Sequence, residues 1–417
     1  MSDSFVPKEN PLLPLSGIRV IDLSRALAGP YCTALLADMG ADVIKIETVT
    51  GGDSSRSWPP FDGDHSLYFD STNRNKKSIS LDLYSDAGRE LLAGLLADAD
   101  ALVENFKPGT MEKMGLGAER LRAINPRLIV SSITGYGTAG PWKDRAGLDQ
   151  VIQAASGLTS VTGRSTDETY RVGIPIVDIT TGMVSAFALV SALYARARGG
   201  EGQNVATSLF ETALGLSAFQ GQTALTLDRA PEPQGNNHPT IAPYGAYATA
   251  SDDIVVAVAT EPQWTAFCSV IGRTDLAEEP RFSIGRDRAL HRGELNELIT
   301  RELSTRPAAA WIEELNGVGI PSGPVFDYLQ AVNSDQARAL GLIAETRRAD
   351  GSELRVLRGP VSIDNAPTPV RRAPPALGEN SREILSGMGL DDEQINRLMA
   401  EGIVREPAAL TPSGATA

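Results

Sequence analysis

Gly17-Ile-Arg-Val-Ile-Asp-Leu23, Ser24-Arg-Ala-Leu-Ala-Gly-Pro-Tyr31 and Ala41-Asp-Val-Ile-Lys-Ile-Glu47 are the segments whose reading decides the fold. The first and third are short apolar runs rich in β-branched residues and predict strands; the second predicts a turn that feeds a helix ending near Asp38. Strand, helix and strand in so short a span make a βαβ unit, with a right-handed crossover and parallel strands. Working outward, Ser78-Ile-Ser-Leu-Asp-Leu83, Ala101-Leu-Val103 and Arg127-Leu-Ile-Val-Ser-Ser132 predict further strands of the same sheet. The first turn lacks the Gly-x-Gly-x-x-Gly pattern of dinucleotide sites. It holds only Gly29, with Pro30 expected at the first helical position, so NAD is not expected. The free N–H groups of that helix start suit a phosphate or a carboxylate.

With 417 residues the chain is long enough for more than one domain. A large α/β domain is expected over residues 1–227, a linker and smaller α+β domain over 228–325, and a return to the large domain over 326–417. The smaller part predicts a hairpin from Gly245–Thr249 and Ile254–Val258, while Asp228–Asn237 and Val325–Ala344 read as linkers. The net charge of −14 argues against broad binding to nucleic acid or membrane surfaces, so an anionic ligand needs local basic clusters. Cys32 and Cys268 are too few for a disulfide framework, and His65, His238 and His291 leave little room for a metal site; no metal is expected. The first fifteen residues lack the apolar core of a signal peptide. The apolar run after Asp178, interrupted by Ser185 and Ser191 and closed by Arg196, is expected to fall short of the roughly 20 residues a bilayer needs. These readings point to the cytoplasm, and the tail Pro407–Ala417 is expected to be disordered.

Two polar turns concentrate positive charge. Ser71-Thr-Asn-Arg-Asn-Lys-Lys77 precedes a predicted strand, and Glu104-Asn-Phe-Lys-Pro-Gly109 follows one and leads into a short helix containing Lys113. Ligands of open parallel sheets bind at a rim of strand ends, so the two turns are expected to converge on one polyphosphate. A further stretch, Val172-Gly-Ile-Pro-Ile-Val-Asp-Ile-Thr-Thr-Gly-Met183, sets Asp178 at the start of a long apolar helix running through Tyr194. The residues before Asp178 read as a buried strand or tight turn, and aspartate is among the best helix N-caps.

Several motifs together resemble one family. They are Leu15-Ser-Gly-Ile-Arg-Val-Ile-Asp-Leu23, Gly40-Ala-Asp-Val-Ile-Lys-Ile-Glu47, Asn75-Lys-Lys-Ser78, Val103-Glu-Asn-Phe-Lys-Pro-Gly109, Gly135-Tyr-Gly-Thr-Ala-Gly-Pro141 and Gln153-Ala-Ala-Ser-Gly-Leu158. Gly235-Asn-Asn-His-Pro-Thr-Ile-Ala-Pro-Tyr-Gly245, Gly319-Ile-Pro-Ser-Gly-Pro-Val325 and Leu377-Gly-Glu-Asn380 continue the likeness. The chain resembles the family III CoA-transferases, the group that contains formyl-CoA and carnitine CoA-transferases together with 2-methylacyl-CoA racemases. The resemblance implies a discontinuous Rossmann-like parallel-sheet domain, a smaller α+β domain and an interlocked homodimer. It also implies a nucleophilic aspartate at Asp178. CoA would lie along Ala26, Leu27, Ala28, the strand Leu81-Asp82-Leu83, Asn105, Phe106, Lys107 and Lys113, with Gly235, Asn236 and Asn237 forming a substrate loop. Thr48 stands where some members carry a phosphate-pairing Arg, and Asn380 where a His is common.

A carboxylate ionised at its ordinary pKa of about 3.9 would need no general base to attack a thioester. The expected reaction moves CoA from an acyl-CoA to a carboxylic acid through an acyl-aspartyl anhydride and an aspartyl-CoA thioester. No permanent cofactor is implied; CoA enters as substrate. The N–H groups opening the Asp178 helix and those of the Gly235 loop are the expected oxyanion donors. The rival reading is a 2-methylacyl-CoA racemase using Asp178 and Glu261, but the racemase histidine would fall at Leu148, which cannot move a proton. A non-catalytic CoA-binding protein is a third reading. The sequence does not select the acid pair.

Overall fold

A computed structural model describes residues 13–407, so the tail read as disordered lies, Pro407 aside, outside the described residues. The chain forms two compact units. One comprises the residues through Ser156, Val172–Gly221, and those from Asp335 onward; the other comprises Gly157–Arg171 and Gln222–Ser334. The second unit thus begins a few residues before the expected linker at 228 and takes in a hairpin from the first stretch, and the chain returns at Asp335 rather than at 326. The expected linker over Val325–Ala344 carries two short helices, Tyr328–Val332 and Asp335–Ala339.

The first unit is built on strands β1 (Arg19–Asp22), β2 (Asp42–Thr48), β3 (Lys76–Leu81), β4 (Ala101–Glu104), β5 (Ile129–Thr134) and β6 (Asn204–Ser208). They lie in the order β6-β5-β4-β1-β2-β3, all parallel, with Val404–Arg405 added antiparallel outside β3. This is the doubly wound order, and its topological switch point lies between β1 and β4. Ile21, Ile79, Leu81 and Leu102 are buried completely, as strands covered on both faces require. Each such side chain contributes roughly 1.5–3 kcal/mol by leaving water.

The helices that position the site are α1 (Ala28–Asp38), α2 (Asp149–Ala155), α3 (Ile176–Ala197) and α4 (Leu209–Gly215). Helix α1 begins two residues before Pro30, not at it. Helix α3 is rich in Ala, Val and Leu, and it buries Val177, Thr181, Ser185, Leu189 and Leu193, whose spacing of four residues marks one face. The chain leaves it at Gly199, whose φ of 97° suits glycine. At 22 residues this helix is long and apolar enough to cross a membrane, which corrects the expectation that the run is too short. Ser185 and Ser191 do not break the run: each turns its hydroxyl onto a partner, Thr207 and the Phe187 carbonyl respectively.

Gly182 sets how closely α3 approaches α1. A Cβ at that position would sit 2.7 Å from the Ala28 carbonyl oxygen and 3.1 Å from the Cys32 nitrogen, so only glycine lets the two backbones meet.

The second unit has an antiparallel sheet of β7 (Tyr244–Tyr247), β8 (Ile254–Ala257) and β9 (Ser322–Pro324). Helices Glu261–Val270, Arg292–Leu303 and Ala308–Gly317 pack with it around a core that includes Trp264, Phe267, Phe282, Leu295 and Leu315. The predicted hairpin is present, with ends displaced by one or two residues.

Candidate functional site

The turn after β1 is held rigidly from beneath. Asp22, fully buried, accepts hydrogen bonds from the Ser24 N–H (2.9 Å), the Ser24 hydroxyl (2.5 Å), the Thr33 hydroxyl (2.6 Å) and Lys76 (3.0 Å). Burial alone would push its carboxyl up, but Lys76, Lys45 and the hydroxyls outweigh burial and hold it well below the usual carboxylate range. Lys45 donates to the Ser24 carbonyl at 2.8 Å and pairs with Asp53 at 2.8 Å, and Asp53 in turn accepts the Ala26 N–H at 3.0 Å. Ala26 is pinned there at φ 64°, a left-handed conformation that costs a non-glycine residue of order 1 kcal/mol.

Across the switch point, Asn105 closes the same turn. Its side-chain oxygen accepts the Arg25 N–H at 2.9 Å and its amide donates to the Arg25 carbonyl at 2.8 Å. Arg25 lies over the Phe106 ring, 5.1 Å from its centre. A small pocket at the strand ends is lined by Ser24, Arg25, Thr48, Leu83 and Phe106, among others. A second cavity, of about 380 Å³, runs along the other side of the Phe106-Lys107 turn under Met111, Leu116, Ser132 and Thr134.

The structure therefore brings Ala26, Leu27, Ala28, Asn105, Phe106 and Leu83 to one rim. Leu81 buries its side chain completely in the core, so only its backbone at the strand end is left to meet a ligand. Asp82 turns its carboxylate onto the Tyr84 N–H at 3.0 Å. Lys107 and Lys113 are exposed, the latter closing a one-turn helix, Thr110–Lys113. Arg25 was not anticipated, although its place one residue before Ala26 in the predicted turn was the signal.

The other basic turn does not join them. Ser71–Lys77 enters β3 at its N-terminal end, so its backbone sits at the opposite rim. Its charges are already paired: Arg74 with Asp38 (2.5 Å), Lys76 with Asp22 (3.0 Å), and Lys77 with Asp42 (3.2 Å) and Glu383 (3.1 Å). The expectation of one convergent polyphosphate site fails because the turns precede and follow strands that run the same way.

Asp178 is the third residue of α3 and does not cap it; the stretch before it is a turn, with no strand, and the cap position is Pro175. The capping acceptor comes from another helix. Asp149, the first residue of α2, takes the Val177 N–H at 2.8 Å and the Asp178 N–H at 3.2 Å on one carboxylate oxygen. Its other oxygen accepts the Gln153 amide at 2.5 Å, and the Gln153 oxygen accepts the Val172 N–H at 2.8 Å. Burial first, then the Asp149 charge, raises the Asp178 carboxyl to about 7. This overturns the expectation of a fully ionised nucleophile at neutral pH. Tyr68, half-buried on the short helix Leu67–Asp70, is raised by burial and then by the Asp178 and Asp149 charges, which marks it as a neighbour of both. Neither Asp149 nor Tyr68 was singled out from the sequence.

Several of the expected oxyanion donors are already engaged. Ile176 N–H bonds the Ile174 carbonyl at 2.8 Å, and those of Val177 and Asp178 serve Asp149. In the second unit the Gly235 N–H bonds the Gly163 carbonyl at 2.8 Å and the Asn237 N–H bonds the Gln234 carbonyl at 3.1 Å. Asn236 is exposed, and the Asn237 oxygen holds Asn296 at 3.1 Å. Glu261 opens its helix with its carboxylate on buried Arg288 (2.8 Å) and on the Gly285 N–H (2.9 Å), and the Arg288 contact lowers its pKa. Leu148, beside Asp149, is exposed. Asn380 takes the Ser78 N–H at 3.1 Å and lies in the scaffold beside β3.

Comparison with known proteins agrees with this picture. The model of CoA-transferase family III matches residues 15–381. The succinate–glutarate CoA-transferase of Agrobacterium fabrum is 36% identical over 91% of this chain and 96% of its own length. The succinyl-CoA:mesaconate CoA-transferase of Haloarcula marismortui is 36% identical over 90% of this chain and 97% of its own. A crystal structure of a CaiB/BaiF family protein from Brucella suis, 35% identical, superposes with a TM-score of 0.81 and covers 91% of this chain and all of that one. Sheet order, switch-point turn and these matches agree: the chain is an enzyme of CoA-transferase family III.

Proposed function

We propose that this enzyme moves CoA between an acyl-CoA and a carboxylic acid with Asp178 as the nucleophile. The observation that carries this reading is the placement of Asp178. It sits one helical turn before Gly182, on the same face of α3, and Gly182 rests against the Ala28 backbone that closes the switch-point turn and opens α1. A thioester whose CoA follows that turn arrives beside a carboxylate that burial and Asp149 keep from ordinary ionisation.

The ionised Asp178 oxygen attacks the acyl carbonyl and the C–S bond breaks, leaving an acyl-aspartyl anhydride and CoA thiolate. The thiolate attacks the aspartyl carbonyl, which releases the first acid as carboxylate and leaves an aspartyl-CoA thioester. A second carboxylate repeats these steps in reverse, returning Asp178 and a new acyl-CoA. The relatives named above act on dicarboxylic acids, and dicarboxylates are the acids we assign to this chain. Arg25, Lys107 and Lys113 are the cations we assign to the CoA phosphates. The N–H groups opening α3 and those of Gly235 and Asn237 are engaged, so we assign none of these to the oxyanion.

The racemase alternative loses support at Glu261, an ion-paired carboxylate of lowered pKa, and lacks its histidine, since Leu148 has no titratable group. We also assign a homodimer. Helix α3 exposes Met183, Val184, Phe187, Val190 and Tyr194, a stripe that a second copy would remove from water. Cys32 and Cys268 are free and buried, which suits the reducing cytoplasm we assign to the protein.

Incubation with succinyl-CoA and rapid digestion should give a peptide carrying CoA, or its hydroxylamine-trapped equivalent, at Asp178. Asp178→Asn should abolish exchange while leaving the folded enzyme. Normal turnover by that variant, checked for deamidation, refutes the reading.

A further inference from the structure

Asp149 is tied to the start of the nucleophile's helix by two hydrogen bonds and held in place by a third. It is 9% exposed, it accepts the Val177 and Asp178 N–H groups in the first turn of α3, and it is fixed by fully buried Gln153, which also anchors Val172 in the turn leading to that helix. Its own start is fixed too. Gly135 and Gly147 meet backbone to backbone, a Cβ on Gly135 falling 2.8 Å from the Gly147 Cα, so the chain enters α2 at one place only.

The consequence concerns what Asp178 is denied. An aspartate in a helix's first turn is ordinarily stabilised as an anion by the free N–H groups and the dipole there. Here Asp149 holds those N–H groups, and among the described residues no side chain donates a hydrogen bond to the Asp178 carboxylate. The titratable residues on elements packed against α3 are Asp149 of α2, Tyr31, Cys32 and Asp38 of α1, and Glu211 of α4; β5 and β6 carry none. Of these only Asp149 acts on Asp178, and Tyr68 responds to both carboxylates.

We propose that Asp149 is a positioning residue for the transfer: it caps the helix carrying Asp178 and sets a fixed negative charge against that carboxylate, so that acylating Asp178 is favoured. When the Asp178 oxygen bonds to the acyl carbon and the thiolate departs, the side chain becomes a neutral anhydride, and then a neutral thioester. The repulsion from Asp149 is relieved in the anhydride and thioester intermediates and returns only when the new acyl-CoA forms and expels Asp178 as carboxylate.

Because this rests on Asp178 as nucleophile, the test separates the two readings. The decisive variant is Asp149→Asn combined with Gln153→Glu. The asparagine introduced at 149 still accepts the two helix N–H groups and donates to the glutamate introduced at 153. That glutamate still accepts the Val172 N–H, so the hydrogen bonds persist while the charge moves away from Asp178. The acid limb of its exchange profile should lie about one pH unit below the parent's, and the fraction of chains trapped as aspartyl-CoA at steady state should fall about tenfold. Thermal stability should be close to the parent's. Asp149→Ala, which loses cap and charge, should lose exchange and also melt lower. A double variant with the parental acid limb and adduct level overturns the charge role, and an alanine variant with parental exchange overturns positioning altogether. If Asp178→Asn exchanges normally, the nucleophile assignment has failed instead.

Discussion

Removing the Asp178 charge should make the protein more stable, and more so at higher pH. A carboxyl raised in the folded state binds its proton more tightly there than in the unfolded chain, so folding is penalised once pH exceeds the unfolded value. With the folded value at about 7 against an ordinary 3.8, the penalty begins near pH 4, grows until pH 7 and is constant above it. The gap of about three pH units corresponds to about 4 kcal/mol at pH 8.5 and about 2 kcal/mol at pH 5.5. Because the carboxylate is only partly buried and water reaches it, about half of each is the realistic figure. Asp178→Asn removes the charge and keeps the shape. Its stability advantage should therefore roughly double between pH 5.5 and 8.5, a rise in Tm of about 3 °C at the upper value. Parallel melts of the two proteins across that range measure it. An advantage that is absent at pH 8.5, or that does not change with pH, refutes the claim that burial and Asp149 hold Asp178 in a costly ionisation state.

Other outcomes follow from the same contacts. Arg74→Ala leaves Asp38 buried without its guanidinium and should cost about 3–5 kcal/mol in chemical denaturation, with the KM for acyl-CoA unchanged, because that basic turn lies away from the CoA rim. Gly182→Ala drives a Cβ to 2.7 Å from the Ala28 carbonyl; separation of α1 from α3 should cost about 1–3 kcal/mol and lower kcat, read by steady-state exchange. Lys107→Ala with Lys113→Ala should raise the KM for acyl-CoA about two- to tenfold and flatten its dependence on salt, with kcat near the parent's.

Sequence by itself determined the local and periodic features of this protein. The alternation of apolar strand and helix near Gly17–Glu47 required a parallel sheet, and the apolar run of α3 required a helix with one buried face, because both patterns are set by residues close together in the chain. The motifs that carry the family resemblance were legible for the same reason, and they pointed to Asp178. Tertiary structure alone decided which charges are spent and which are available. Arg74, Lys76 and Lys77 looked like a phosphate site, but partners distant in sequence neutralise them. Leu81, in the strand expected along CoA, gives its side chain to the core. The cap on the Asp178 helix comes from a residue 29 positions earlier, and that same residue shifts the nucleophile's ionisation. No local pattern encodes such a contact, since it depends on where α2 and α3 meet. Electrostatics and hydrogen bonding at the site are thus properties of spatial neighbours, whereas periodicity is a property of chain neighbours, and the two were legible accordingly.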